Sequence, residues 1–323
     1  MNDAPLENVS EHKHLGITLS SNAKWSSHIQ DIYSKACKRL NIMRYLKHKI
    51  DRQSLERLYI AFIRPILEYG NIIWDNCTQE ESDLIESVQQ AAARIVTGLR
   101  KGTPRWKLYK ELGWDSLQNR RQKNKLLFLH KTISGDIPNY IAADILSCTN
   151  TNDQYGLRKK REFKTPQCRT TAYKNSFIPH TLEKWNSLDG EVKNILSFTG
   201  FKRKLNEDIS PCPVFFSTGS RKVNIIHCQL RNEASDLKDH LFCDHLSDSS
   251  MCACGDPVED NFHFFYVCPF YIYQRYELFR KISNFKNVNL DVLLQGCSDL
   301  NIDENTEIFT YVQQYIHETG RFL

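Results

Sequence analysis

Cys252, Cys254, His263 and Cys268 place three thiols and an imidazole within 17 positions, in the order Cys-x-Cys-x8-His-x4-Cys. Thiolate sulfur and imidazole nitrogen are ligands that Zn2+ prefers, and four of them complete the tetrahedral shell of a structural site. Such a set leaves no coordination position for water or substrate, so the zinc it calls for is structural rather than catalytic. Gly255 lets the backbone turn tightly after the second thiol. The Cys-x-Cys spacing is tighter than the commoner Cys-x2-Cys. The plain alternative is a core histidine in the aromatic run Asn261 to Tyr266 and a merely buried Cys268. His240, Cys243 and His245 lie close by in sequence, either to replace a ligand or stand beside one, or as ordinary surface or core residues.

The remaining cysteines argue for a reducing compartment. The chain has 11, an odd number, and singletons such as Cys37, Cys77, Cys148 and Cys168 read as small buried hydrophobes rather than a disulfide framework. The start of the chain is acidic and polar with no apolar signal core. In the aromatic region near the C-terminus, the longest stretch without a charged side chain, Asn261 to Gln274, has 14 residues, short of the roughly 18 that a spanning helix needs. These features predict an intracellular protein, cytoplasmic or nuclear, with no membrane partner.

A second chemistry is electrostatic. The formal charge is only +5, but residues 94–174 carry 18 Lys and Arg against 6 Asp and Glu, between acidic flanks. In this stretch Arg100, Lys101, Arg105, Lys107, Arg120, Arg121, Lys123 and Lys125 stand near Trp106, Tyr109 and Trp114, and Arg158, Lys159, Lys160 and Arg161 follow. Cations neutralise phosphates and aromatic faces stack on unpaired bases, so the segment predicts contact with RNA or DNA. The alternative is a solvated helix face whose aromatics point inward. For catalysis there is no phosphate-cradling glycine loop, no Gly-x-Ser-x-Gly and no His-Glu-x-x-His. No two aspartates are adjacent, so no two-metal carboxylate pair for nucleotidyl transfer is apparent in the sequence.

The patterning around these residues is mainly α-helical. Leu15 to Leu19 alternates as a short strand. Ile29, Ile32, Tyr33, Ala36, Leu40 and Met43 then recur at three- and four-residue steps, which predicts an amphipathic helix. Asp51 is placed to cap a second helix that Pro65 ends or kinks. Thr78 and Glu81 have capping-box spacing ahead of a third. Thr103-Pro104 opens a short helix that Gly113 closes, and Ser116 starts another that stops at Gly135. The expected organisation is a strand and turn over 1–22, a helical thumb-like bundle over 23–147, an extended basic linker with short helices over 148–210, and a small α-rich zinc-binding domain over 211–323.

Taken in order, these residues resemble a family, the C-terminal third of the reverse transcriptases of non-LTR (LINE-type, jockey/CR1/RTE-like) retrotransposons. The landmarks are Leu15-Gly16-Ile17, Trp25 with His28-Ile29, Leu58-Tyr59 with Arg64-Pro65, Glu68-Tyr69-Gly70 with Trp74, and Gln89 to Ile95. Ser176 to Pro179, Trp185 to Leu188, Phe201-Lys202, Leu230-Arg231 and the Cys/His motif follow. The resemblance implies a thumb-like and connector region that contacts a template–primer duplex, and a zinc-binding tail that grips target or template nucleic acid. In the family the Leu-Gly-Ile segment follows the palm, whose paired aspartates hold the catalytic ions. The expectation is therefore a truncated, catalytically incompetent nucleic-acid-binding product with no catalytic residues of its own. One alternative is a polymerase part active only with an upstream palm. Another is a domesticated zinc-dependent module whose aromatic stretch, Phe262 to Tyr276, binds a protein.

Overall fold

The computed structural model of the protein describes residues 8–147 and 163–322. Arg158, Lys159, Lys160 and Arg161 therefore lie outside the described residues, as do most of the residues given to the start of the basic linker. The fold is mainly α, as the patterning predicts. In chain order the strands are β1 (Glu11–His14) and β2 (Ile17–Ser20), and the helices begin with α1 (Ser26–Leu46), α2 (Arg52–Leu58), α3 (Arg64–Glu68), α4 (Asn71–Trp74), α5 (Gln79–Thr97) and α6 (Arg105–Leu112). They continue with α7 (Leu117–Ile133), α8 (Asn139–Leu146), α9 (Thr171–Lys174), α10 (Phe177–Asn186), α11 (Gly190–Lys193), α12 (Phe198–Leu205), α13 (Arg221–Arg231), α14 (Lys238–Cys243), α15 (Ile272–Ile282), α16 (Leu290–Gln295) and α17 (Ile302–Glu318). Among the described residues, no helix is long and apolar enough to cross a membrane.

Helix starts follow local chemistry. The Asp51 carboxylate accepts from the Ser54 N–H at 2.8 Å, and Ser116 Oγ accepts from the Asn119 N–H at 3.1 Å. Thr78 and Glu81 satisfy each other's N–H groups as a capping box should. Two local expectations are corrected. Leu15 and Gly16 are not strand but the two-residue turn of an antiparallel hairpin in which His14 faces Ile17, and both have positive φ, 46° and 82°. Glycine tolerates that geometry and leucine does so only under constraint; the Tyr69 hydroxyl donates to the Leu15 carbonyl at 2.9 Å. Pro65 does not end its helix either. A π-helical turn over Tyr59–Ile63 precedes it and leaves Pro65 in the first turn of α3, where its missing N–H leaves no bond unmade.

The described residues cluster into two compact units, one drawn from Met1–Lys38, Ile63–Gln89 and Asp115–Ser210, the other from Arg39–Phe62, Gln90–Trp114 and Pro211–Leu323. Each unit takes three separate stretches of the chain. In the first unit Leu126 and Leu129 of α7 pack with Leu182, Trp185 and Phe201. Burying side chains of this size removes enough apolar surface to contribute about 1.5–3 kcal/mol each. In the second unit Val223, Ile226 and Leu230 of α13 meet Phe264, Phe265, Leu278, Leu293, Ile308, Val312 and Tyr315.

The second unit also buries a charged triad. The Glu111 carboxylate accepts from Arg52 Nη1 at 2.7 Å, from Arg231 Nη2 at 2.6 Å and from the Asn232 amide at 3.0 Å. Arg231 lies over the Phe216 ring, 3.7 Å from its centroid. His227, one turn away on α13, is fully enclosed, with Nε2 3.0 Å from the Leu293 carbonyl. Burial, aided by Arg231, pushes its pKa down to about 3. A depressed folded pKa means stability that is complete above the unfolded value near 6.5 and is lost as pH falls toward the folded one. Between pH 7 and 5 this single group is expected to remove about 2 kcal/mol. Urea unfolding at the two pH values should show that loss in the wild type and a clearly smaller one in His227→Gln, whose amide can keep the bond to Leu293.

Candidate functional site

The four residues singled out by spacing meet in the second unit. Their ligand atoms, three Sγ and one imidazole nitrogen, all lie within 4.8 Å of one another and could hold a metal ion. Cys252 Sγ is 3.9 Å from Cys268 Sγ, and Cys254 Sγ is 3.4 Å from His263 Nε2. His240, Cys243 and His245 are not in the group. His240 is buried against Ser235 Oγ at 2.7 Å, Cys243 is exposed, and His245 sits at a positive-φ turn.

Two pieces of local structure bring the ligands together. The first is a turn in which the Cys252 N–H donates to the Asp256 carbonyl at 2.9 Å and the Gly255 N–H to the Cys252 carbonyl at 3.0 Å. Gly255 takes φ +96° there, a conformation that side chains disfavour. The second is a π-helical turn over His263–Val267, closed by the Cys268 N–H on the His263 carbonyl at 2.8 Å. Five residues along an α-helix would swing Cys268 roughly 140° away from His263. The wider i→i+5 turn brings it back, which is why a His-x4-Cys spacing can serve one ion.

Neighbours fix both pieces. Asp260 accepts from the His263 N–H at 2.7 Å, Asn261 donates to the Leu230 carbonyl at 3.0 Å, and the Tyr315 hydroxyl donates to the Phe264 carbonyl at 2.6 Å. Arg275 donates to the carbonyls of Phe265 and Cys268. An Asp256 carboxylate oxygen is 3.4 Å from His263 Nδ1, the ring nitrogen that does not face the sulfurs, without a hydrogen bond between them. Burial pushes the Cys252 thiol up to about 12 and the Cys268 thiol upward as well. A divalent cation among them reverses that, because a coordinating thiol gives up its proton.

The cations nominated from sequence fare differently. Arg121 and Lys125 are not available to phosphate: both are buried on Asp75, at 2.7 and 2.5 Å. Arg120 is paired with Glu68, and Lys123 with Asp115 at 2.7 Å. In the second unit Arg100 is engaged by Asp236, and Lys107 by Glu233 at 3.2 Å. Lys101 stands exposed, as does Arg105, which is itself engaged by a partner. A segment that is basic along the chain is thus partly neutralised in space by acids from other segments. The sequence reading passed over another basic stretch of the second unit, where Arg44, Lys47, Lys49 and Arg57 are exposed and Lys49 Nζ sits 3.5 Å from the Tyr45 ring centroid. Beside the Cys/His cluster, Phe262, Phe270, Ile272, Tyr273 and Tyr276 are exposed.

No protein-family model, curated protein or solved structure matches the chain.

Proposed function

We propose that the protein is a zinc-ordered nucleic-acid-binding protein that performs no nucleotidyl transfer through its own residues. More particularly, we read it as the counterpart of the thumb, connector and zinc-binding tail of a non-LTR retrotransposon reverse transcriptase. The observation that carries this reading is the closed set Cys252, Cys254, His263 and Cys268, four ligands of the types and order that the resemblance supplies. Zn–S bonds of about 2.3 Å and Zn–N bonds of about 2.0 Å put tetrahedral ligands about 3.8 Å (S to S) and about 3.5 Å (S to N) apart. The separations of 3.9 and 3.4 Å are of that size, within a set whose atoms all lie within 4.8 Å of one another, and the three-sulfur, one-nitrogen donor set supports zinc as the ion. The missing aspartate pair supports a role in binding rather than chemistry, and the exposed cations of both basic stretches supply the phosphate contacts.

The test is binding of single-stranded RNA and DNA by the full chain across a salt series, beside a primed-template extension assay. Affinity is expected in the range of about 1–100 μM at physiological salt, with log K falling by about 0.7 per decade of salt for each phosphate engaged. No nucleotide incorporation is expected; incorporation by the purified chain would overturn the non-catalytic half. Absence of binding even at low salt would overturn the other half. It would leave a protein-interaction module, the reading favoured by exposed Phe262, Phe270, Ile272, Tyr273 and Tyr276, since grouped apolar surface suits a protein partner.

A further inference from the structure

A groove of about 380 Å3 in the second unit is lined by Lys47, His48, Arg94 and Arg221, together with Gln229, Gly98 and apolar side chains, and by no carboxylate. Each cation there lacks an acidic partner among the described residues. Arg221 spends its guanidinium on main-chain oxygens, donating to the carbonyls of Lys47 at 3.0 Å, Val96 at 2.7 Å and Ile95 at 2.6 Å. Those carbonyls lie at or just beyond the C-terminal ends of α1 and α5, whose partial negative charge offsets only part of the arginine's. Burial, with Arg52 as a neighbouring cation, draws the Arg221 pKa down to about 10. Arg94 reaches one carbonyl, of Thr103, at 3.5 Å, and its buried Nε has no partner. Lys47 and His48 are exposed.

The floor is built to stay narrow. Gly98 ends α5 at φ +75°, and a Cβ there would come within 2.5 Å of Ile225 on α13. A concave surface with three permanent cations, a histidine and no acid concentrates positive potential and draws in anions. The Arg94 and Arg221 guanidinium groups, held on main-chain carbonyls, contribute their charge, and the exposed Lys47 ammonium supplies a donor for a phosphate oxygen. We propose that this groove binds a phosphate group, either of a nucleic-acid backbone or of a free polyphosphate. The first source rests on the nucleic-acid reading above; the second does not.

Lys47→Glu reverses one exposed charge of the groove, and its melting temperature should match the wild type. In the full chain, labelled single-stranded RNA should bind about tenfold more weakly to this variant, with the salt slope reduced by about 0.7. Calorimetric titration with tripolyphosphate should show the same loss, and Lys47→Arg should restore both. If tripolyphosphate binds and is lost in the variant while RNA is not bound at all, the groove stands as a polyphosphate site and the nucleic-acid reading falls. RNA held equally by wild type and Lys47→Glu, with tripolyphosphate unbound or unaffected, overturns the groove and leaves nucleic acid bound elsewhere. Neither probe bound overturns both.

Discussion

Zinc chelation, or replacing Cys268 by serine, is expected to destabilise the second unit by several kcal/mol. Two of the candidate ligands are part of its core: Cys252 and Cys268 are buried in one cluster with Phe264, Phe265 and Tyr271. Without an ion, burial keeps these thiols protonated and neutral, and only weak thiol contacts remain to tie the two turns together. Structural zinc sites carry apparent binding free energies of about 10–16 kcal/mol. Through mass action this becomes about 4 kcal/mol of stability at a thousandfold excess of free zinc over Kd. The expected result is a melting temperature that falls on chelation and recovers on adding zinc, with Cys268→Ser insensitive to either. Hydrogen exchange should localise the effect. The amides of Gly255 and Cys268, whose acceptors are the carbonyls of Cys252 and His263, should lose protection when zinc is removed. Unchanged melting and unchanged protection would contradict the account.

Removing the Glu111 carboxylate should have an effect of similar size. Arg52 and Arg231 have side chains 1% and 2% exposed, and both are paired with Glu111. Burial disfavours the charged carboxylate, but the two guanidinium groups outweigh it and hold the Glu111 pKa well below the usual carboxylate range. Glu111 in turn keeps Arg52 firmly protonated against its own burial. Glu111→Ala leaves two buried cations uncompensated and is expected to cost about 3–5 kcal/mol. The triple replacement Arg52→Met, Glu111→Leu, Arg231→Met removes all the charges together and should recover most of that loss. Denaturant midpoints of the three proteins test this; a Glu111→Ala loss below about 1 kcal/mol would show that the triad is screened rather than buried. The lowered folded pKa also fixes the sign with pH: the carboxylate's contribution is present above its ordinary value and disappears in acid below it.

Several features of the fold and site were legible because their cause is local. Caps at Asp51, Thr78 and Ser116 act within three residues, and a Cys/His set able to hold a metal ion stands out by type and spacing alone. What escaped reading depends on distant partners. Asp75 lies 46 positions from Arg121, and Glu111 lies 59 from Arg52 and 120 from Arg231. Nothing in the local sequence distinguishes Glu111 from the other acids, so the triad was invisible and the basic segment looked freer than it is. The Leu15-Gly16 turn was misread for a related reason: alternation continued through it, and only a tight two-residue connection reveals two strands where one was expected.

X-ray absorption at the zinc edge, together with the metal content of the purified full chain, tests the central claim most directly. One zinc per chain is expected, with three sulfur and one nitrogen neighbours at about 2.3 and 2.0 Å, and with occupancy lost in Cys252→Ser and in His263→Ala. A shell containing oxygen, no metal in the wild type, or full occupancy in both variants would contradict it.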